Sequence, residues 1–431
     1  MNQVKNRWLI AASAVGIHLS IGSVYAWSVY TKPLIDKLGW GLKETQFTFG
    51  LAIFFLGMSA AFLGSYAERI GPKKSGMLSA ICFGLGIAGS GLAVHLGSIY
   101  LLYLSYSVVG GIGLGIGYIT PVSSLIKWFP DKRGLATGLA IMGFGFAALI
   151  SSPLIVSLIS SVGIANTFFI MGGSYFLIIF ASSRYISAPP EGWVPEGMKT
   201  SDVATKKIVS GDLSQMTAKE AIKTKRFWYL WVMFFINICC GIAIISAASP
   251  MAQEFAGLTV VAAAAMVGFM GIFNGGGRIG WATLSDYLGR PNTFIVFLML
   301  EIVAFMLVPS ATNPLMFQAL IFVIISCYGG GFSSVTAYVG DLFGTKELGA
   351  IVGYMLTAWA AAGMAGPLFA AFTRSATNSY DGTMYGFAAL LVIALVISVL
   401  LKMEVRKMRA AKEKELEISM AWLEEVPEFV D

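Results

Sequence analysis

Long apolar runs, separated by short polar segments, make up most of the chain. Runs of about 20 apolar residues are long enough to cross a lipid bilayer as α-helices, and the sequence of 431 residues offers twelve. The pattern therefore predicts an all-α membrane protein with twelve transmembrane helices. The predicted spans are Trp8–Tyr30, Glu44–Tyr66, Ser75–His95, Ile99–Lys127, Leu135–Ser161, Ala165–Ile186, Phe227–Gln253, Val260–Leu284, Thr293–Ser310, Pro314–Leu342, Leu348–Phe372 and Tyr385–Leu401.

The composition also favours a membrane location. Hydrophobic residues form 57% of the chain and charged residues 12%, whereas about 25% of the residues in a soluble domain are charged. The first apolar run is as long as a full span and no small-residue cleavage site follows it, so we expect a span there rather than a signal peptide. All four cysteines fall within apolar runs without metal-ligand spacing, and the sequence predicts no metal site and no cofactor.

The position of the positive charges predicts the orientation of the spans. Almost all of the 29 Lys and Arg residues lie in the two termini and the even-numbered loops, whereas the other side holds only Lys32, Lys37, Lys43 and Arg374. Lysine and arginine concentrate in the cytoplasmic segments of membrane proteins. We therefore expect a multi-pass protein of the cell membrane with both termini in the cytoplasm.

A short polar motif occurs twice, about half the chain apart. Glu68 and Arg69 precede a glycine after span two, and Asp286 precedes a glycine and Arg290 after span eight. The repeat predicts two pseudo-symmetric six-helix halves that arose by duplication. The predicted domains are an N-terminal six-helix bundle at residues 1–186, a cytoplasmic linker at 187–225, a C-terminal six-helix bundle at 226–402 and a cytoplasmic tail at 403–431.

Spans five and eleven contain Pro153 and Pro367 in glycine-rich surroundings. Proline removes a backbone hydrogen bond and bends a helix. The sequence therefore predicts a break in each of these spans, at positions that suit a gate; the alternative is a static kink.

Arg278 lies inside predicted span eight, directly after three glycines. The nearest charges on its own segment are Glu254 and Asp286, and both are too far away to pair with it along a helix. A guanidinium inside a membrane costs roughly 3 kcal/mol on insertion scales, and arginine does not lose its proton to escape that cost. We interpret Arg278 as a residue that lines a cavity and receives an anionic group. The alternatives are a structural carboxylate partner on another segment and contact with lipid headgroups.

Two other ionisable groups fall within predicted spans, His18 in span one and Glu301 in span nine. Intramembrane ionisable groups often carry protons, so both are candidates for proton coupling. For His18 the alternative is a structural histidine. Glu301 has two alternatives, a structural or interfacial carboxylate and a distant partner of Arg278.

Tyrosines supply further candidate contacts to a polar substrate. Tyr25 lies deeper in span one than aromatic residues of the interfacial belt usually do, and Tyr328 in span ten offers a phenolic hydrogen bond. We include both as candidate substrate-binding residues. For Tyr25, a position in the interfacial belt remains the alternative.

The order of these motifs resembles a known family. The loop that begins at Gly64, its second copy and the twelve-span layout are similar to the major facilitator superfamily, although Glu68 and Pro72 stand where that superfamily usually has Asp and Arg. Within it, the chain resembles the oxalate/formate antiporter family, which is related to monocarboxylate transporters. The motifs that carry this resemblance are NRWLI (6–10), GSVYAWSVY (22–30), KWFPDKRGLATG (127–138) and TAKEAIKTKRFWYLW (217–231).

The resemblance implies a major facilitator fold and a set of site residues. Arg278 stands where the family places its substrate-binding arginine, and Tyr118 stands where a side chain points at the substrate. Oxalate transporters of the family pair the arginine with a lysine in span eleven, a position that Trp359 occupies here. Monocarboxylate transporters have an aspartate one turn before the arginine, where this chain has Asn274.

The resemblance also implies gating and conformational roles for the charged residues of the two repeated motifs. These residues are Glu68, Arg69, Asp286 and Arg290.

Together these features predict a secondary transporter of small monocarboxylates, of the lactate, pyruvate or formate type, that works by alternating access. A single cation balances one carboxylate, whereas a dianion would leave an unpaired charge in a low-dielectric site. The alternatives are an oxalate/formate-type dicarboxylate exchanger and, from other classes, a membrane enzyme, sensor or channel. The sequence lacks a nucleophile–base pair and a nucleotide-binding loop, which disfavours an enzyme.

The expected partners are a small carboxylate, protons or a counter-anion, and the bilayer; we expect a monomer and no nucleic acid.

Overall fold

The fold comes from a computed structural model, which describes residues 5–129, 133–190, 193, 195, 213–311, 313–344 and 347–425. Much of the predicted linker and the end of the predicted tail lie outside these residues, as does part of the KWFPDKRGLATG motif. The domain boundaries stay a prediction.

Twelve long helices, α1–α12, are apolar enough to cross a membrane, and no strand occurs in the described residues, so the predicted fold class is confirmed. Helix α12 continues well past the predicted end of the last span. We call the face where α1 begins and α12 ends the terminal face, and the other side the opposite face. The helices are α1 (Arg7–Ile21, a 3₁₀ turn at Gly22–Ala26 and Ser28–Leu38), α2 (Leu42–Ile70), α3 (Pro72–His95), α4 (Ile99–Leu102, a π-helical turn at Tyr103–Val109 and Gly110–Trp128), α5 (Arg133–Val162), α6 (Ile164–Tyr185), α7 (Lys225–Phe255), α8 (Val260–Leu288), α9 (Arg290–Leu307), α10 (Pro314–Phe343), α11 (Leu348–Thr377) and α12 (Asp381–Glu425).

The two repeated loops turn on glycine at equivalent places. Gly71 between α2 and α3 has a φ of 85°, and Gly289 between α8 and α9 has a φ of 80°. A positive φ of this size strongly favours glycine, because it strains residues that carry a Cβ. The sequence repeat therefore corresponds to a repeated backbone turn.

The helix breaks do not lie where the prolines predicted them. Helices α5 and α11 run without interruption through Pro153 and Pro367, because neighbouring helices and small local adjustments accommodate proline within a membrane bundle. Helix α1 is interrupted instead, just before Trp27. There Gly22 lies so close to α5 that a Cβ would sit 2.3 Å from the carbonyl oxygen of Phe144. The break in α1 thus accompanies a close approach to α5.

The first six and the last six helices each pack mainly among themselves, and the two halves meet chiefly along the pairs α2–α11 and α5–α8. Glycines line both contacts. A Cβ at Gly50 would lie 2.9 Å from the carbonyl oxygen of Gly363, and one at Gly271 would lie 2.7 Å from that of Gly145. Small residues let helix backbones approach closely where lipid offers no hydrophobic drive for association. This close packing brings the inner helices of both halves together at the centre.

Candidate functional site

Arg278 lies at the centre of the bundle on α8 and is only 3% exposed. Its Nε donates a hydrogen bond to Oδ1 of Asn274, one turn earlier on the same helix, over 3.1 Å. The guanidinium carbon lies 4.8 Å from the centroid of the Phe332 ring on α10, a cation–π distance. Asn274 and Phe332 therefore fix one edge and one face of the guanidinium.

The two terminal nitrogens of Arg278 are buried, and neither has a hydrogen-bond partner among the described residues. A buried charge is costly unless it is paired and hydrogen-bonded. Two neighbouring donors on a planar guanidinium match the two oxygens of a carboxylate. The arrangement is suited to receiving an anion.

Aromatic rings from both halves surround this position. Tyr118 lies 5.4 Å from Trp359, centroid to centroid, and Trp359 lies 4.8 Å from Phe332. On the other side the ring of Tyr25 lies 4.9 Å from that of Phe144. Six aromatic residues form a closed circuit of contacts, to which Arg278 is joined through Phe332 and Asn274 through Arg278. We define the aromatic chamber by these eight residues: Tyr25, Tyr118, Phe144, Asn274, Arg278, Tyr328, Phe332 and Trp359.

The chamber is joined across the two halves by a hydrogen bond between the hydroxyls of Tyr25 and Tyr328, 2.6 Å apart. Trp359 is fully buried, and its indole Nε1 has no partner within the described part of the chain. The chamber thus presents a third unpaired donor besides the two nitrogens of Arg278.

All six side chains that the sequence predicted to bind substrate lie in the chamber. Sequence reasoning missed Phe144 and Phe332, because a ring without a polar atom gives no chemical signal among many apolar residues. The one available signal was local: Phe144 lies in a GFGF run and Phe332 follows three glycines.

The chamber is closed in this structure. The cavity beside Tyr25 and Asn274 has a volume of about 10 Å³, at or below the roughly 10–15 Å³ that one water molecule needs. A carboxylate needs more room than this cavity offers, and every side chain that defines the chamber is buried.

Contacts between the halves close the opposite face. The side-chain amide of Gln46 on α2 donates to the carbonyl oxygen of Ser246 on α7 over 3.0 Å, and both residues are buried. Nearer the surface, Lys32 donates to Oε1 of Gln253 over 3.2 Å.

The predicted gating residues lie apart from the chamber, at the helix ends on either side of the two repeated turns on the terminal face. Arg290 pairs with Asp286 over 2.6 Å and approaches Asp341 on α10 at 3.6 Å. In the other half Glu68 and Arg69 are exposed, and Glu68 lines a small cavity with Lys127 at the end of α4. The structure shows an ion pair in the second loop, while the gating role stays a prediction.

Of the two proton-coupling candidates, His18 borders the chamber, with its ring 5.5 Å from that of Tyr118 and 6.2 Å from that of Phe144, whereas Glu301 lies outside it. Nε2 of His18 lies 3.0 Å from the carbonyl oxygen of Tyr118, so it donates to the helix that carries a chamber residue. Glu301 is fully buried on α9, where Nδ2 of Asn237 on α7 donates to both of its carboxyl oxygens. Glu301 therefore contacts α7 rather than Arg278.

Known transporters are similar to this chain in sequence. An uncharacterized MFS-type transporter of Escherichia coli, YhjX, is 30% identical over 349 residues, 80% of this chain and 83% of that protein. The oxalate:formate antiporter of Oxalobacter formigenes is 29% identical over 84% of this chain and 83% of that protein. Apicoplast pyruvate carrier 1 of Toxoplasma gondii is 23% identical over 71% of this chain and 65% of that protein.

The fold and a protein-family model also indicate a membrane transporter. A bacterial homologue of the human lysosomal transporter Spinster, solved in an inward-facing and unoccupied conformation, superimposes with a TM-score of 0.74 at 16% identity, over 93% of this chain and 98% of that one. The model of the Major Facilitator Superfamily matches residues 13–367 and, in a second match, 277–426. The chain therefore belongs to the Major Facilitator Superfamily and is one of its multi-pass membrane transporters.

Proposed function

We propose that this transporter carries small monocarboxylates of the lactate, pyruvate or formate type, and that Arg278 binds their carboxylate group. The observation that carries the proposal is the pair of buried, unpaired terminal nitrogens of Arg278 at the contact between the two halves. A carboxylate would satisfy both donors and neutralise the buried charge.

The charge of the chamber favours one carboxylate over two. Of the residues that define the chamber, only Arg278 is charged, and the resemblance to oxalate transporters implies that Trp359 stands where those proteins have a second cation. A dianion would therefore keep an uncompensated negative charge in a low-dielectric site. The alternative is an oxalate/formate-type exchanger, in line with the name of one relative.

Each chamber residue has a task in this mechanism. Asn274 holds Nε and turns the free edge of the guanidinium toward the chamber. The aromatic walls exclude water, which strengthens the ion pair between Arg278 and the carboxylate. Tyr25 and Tyr328 join the halves when the chamber is closed. Alternating access then requires the halves to separate first at one face and then at the other.

The distribution of Lys and Arg supports a cytoplasmic terminal face. We accordingly infer that substrate enters or leaves the cytoplasm between the terminal-face ends of the two halves.

Counterflow in proteoliposomes tests the proposal. Vesicles loaded with one carboxylate and presented with labelled lactate, pyruvate, formate or oxalate should accumulate the monocarboxylates. In thermal-shift titrations of the purified protein, oxalate should stabilise much less than lactate or formate. Equal stabilisation by oxalate would contradict the single-cation argument. Uptake into vesicles that hold no carboxylate, driven by an inward proton gradient, separates proton symport from anion exchange, because an exchanger needs a counter-anion inside the vesicle.

A further inference from the structure

Glu301 and Asn237 form a buried polar pair that the proposed function does not use. Both residues are fully buried, and Nδ2 of Asn237 lies 3.1 Å and 2.9 Å from the two carboxyl oxygens of Glu301. Polar groups in a membrane interior are costly, and they are commonly retained for a functional reason. The pair links α9, an outer helix of the second half, to α7.

Asn237 lies in the middle of the contact between α7 and α10. Phe234, Asn237 and Gly241 are spaced three and four residues apart, so they share one face of α7. The ring of Phe234 lies 5.2 Å from that of Phe332, and a Cβ at Gly241 would lie 2.3 Å from the ring of Tyr328. That face of α7 therefore supports two chamber residues directly.

The amide of Asn237 itself rests against a glycine of α10. A Cβ at Gly331 would lie 2.0 Å from Oδ1 of Asn237, so only glycine admits the amide at this distance. Gly329 and Gly330 precede Gly331, and α10 thus lacks side chains that would interlock with its neighbours at this level. Apolar contacts are not directional, whereas a hydrogen bond fixes the orientation of the amide.

We propose that Glu301 is a positioning residue for the substrate site: it orients Asn237, and the Asn237 amide against Gly331 sets the position of α10, which carries Tyr328 and Phe332 into the chamber. This inference rests on the proposed function, since it assumes that the chamber binds the substrate. Glu301 itself does not touch the substrate.

The decisive comparison replaces one partner and then both. Lactate affinity and melting temperature are measured on the purified full-length protein for Glu301→Leu, Asn237→Leu and the double variant. Each single variant leaves a buried polar group without its partner, so both stability and affinity should fall, with Kd weakened about tenfold. The double variant removes both polar groups and should recover the melting temperature, yet its Kd should stay about tenfold weaker. Recovery of both quantities would reduce the pair to a purely structural role and overturn the proposal.

Two further variants complete the test. Glu301→Gln keeps the shape and a hydrogen bond to Asn237, so Kd should stay within about twofold of the original and the pH profile of uptake should be unchanged. Loss of the pH dependence in Glu301→Gln at an unchanged Kd would make Glu301 a proton carrier and overturn the proposal. Thr293→Val is the matched control, because Thr293 is a fully buried polar residue of α9 whose hydroxyl donates to the carbonyl oxygen of Gly289, just before the helix begins; its Kd should not change.

The Arg278→Lys variant separates the two proposals. If Arg278→Lys binds lactate as well as the original protein, or if the original protein does not bind lactate, the chamber is not the lactate site and both proposals fall. If Arg278→Lys loses binding while Glu301→Leu keeps it, only the positioning role of Glu301 is refuted.

Discussion

Arg278 carries a permanent charge and two N–H-bearing nitrogens without a hydrogen-bond partner among the described residues. This combination is costly in a membrane span. Its Nε bond to Asn274 and its contact with Phe332 hold the group without neutralising it, because an amide oxygen and a ring face carry no net charge. The two terminal nitrogens have no hydrogen-bond partner among the described residues, so an anion that enters the chamber can satisfy them. The side chain is thus preorganised for an anionic ligand.

Replacing Arg278 with lysine keeps the charge but removes the planar pair of donors. A carboxylate on a guanidinium receives two parallel hydrogen bonds, whereas an ammonium group is a compact charge on a flexible chain. Losing one charge-assisted bond costs about 1.5–3 kcal/mol, roughly ten- to a hundredfold in affinity. We expect uptake into proteoliposomes to collapse in Arg278→Lys while expression and folding persist, and calorimetry in detergent measures the loss of substrate affinity. Arg184→Lys, at an exposed position, should be unaffected, and near-normal affinity in Arg278→Lys would make Arg278 structural.

Trp359 is expected to set the preference for monocarboxylates. Lysine at this position would bring a second cation into the chamber. One charge-assisted hydrogen bond contributes about 1.5–3 kcal/mol, so the affinity of Trp359→Lys for oxalate should be at least about tenfold higher than that of the original protein. Thermal-shift titration with oxalate and lactate measures the change. Trp359→Met opens similar space without the charge and should give no such gain. An unimproved response to oxalate in Trp359→Lys would count against the position that we assign to Trp359.

At the level of helices, the sequence predicted the positions of the membrane spans, because these depend on local composition. Hydropathy is summed over about 20 residues, and that sum located all twelve spans. The break in α1 was not predictable, because it accompanies the contact of Gly22 with α5, a helix far away in sequence. The partner of Glu301 escaped prediction for the same reason, since many apolar spans offer equivalent faces. Arg278 was found because a charge inside a span is locally conspicuous.

The three glycines before Arg278 have different surroundings. A Cβ at Gly275 would lie 2.8 Å from the ring of Phe146 on α5, and one at Gly277 would lie 2.2 Å from the carbonyl oxygen of Ser326 on α10. Gly276 faces open space. Helix α8 is therefore held between α5 of the first half and α10 of its own half, with the third face free.

Adjacent substitutions test this arrangement. In Gly277→Ala the new methyl group meets the backbone of α10, which cannot swing aside as a side chain does, so we expect a loss of about 1–3 kcal/mol in stability and weaker binding at Arg278. Gly276→Ala places its methyl group in open space on an exposed helical position, so it should leave binding unchanged and raise stability by about 0.5–1 kcal/mol. Melting temperature and lactate affinity of both variants give the comparison. Similar behaviour of the two would mean that α8 does not approach α10 as closely as described.

Across the whole molecule, the contacts between the halves lie at several depths. Tyr25 and Tyr328 meet at the centre, while Gln46 and Ser246 meet nearer the opposite face. These hydrogen bonds can be exchanged for contacts with water when the halves separate, whereas the close packing of α2 on α11 and of α5 on α8 has to be loosened. By contrast, the ion pairs of Arg290 lie within the second half and do not have to break for the halves to part.

Cross-linking at the opposite face tests whether the halves must separate there. Lys32 and Gln253 are in contact and belong to different halves, so in a background without native cysteines, Lys32→Cys/Gln253→Cys joined by a short reducible bis-thiol reagent should lose exchange in proteoliposomes. Reduction should restore it. Glu254 and Arg374 are in contact at the same face but lie within one half, and the equivalent Glu254→Cys/Arg374→Cys cross-link should leave exchange intact because both ends move together. Full exchange by the cross-linked Lys32–Gln253 pair would show that the substrate does not pass between the halves at this face.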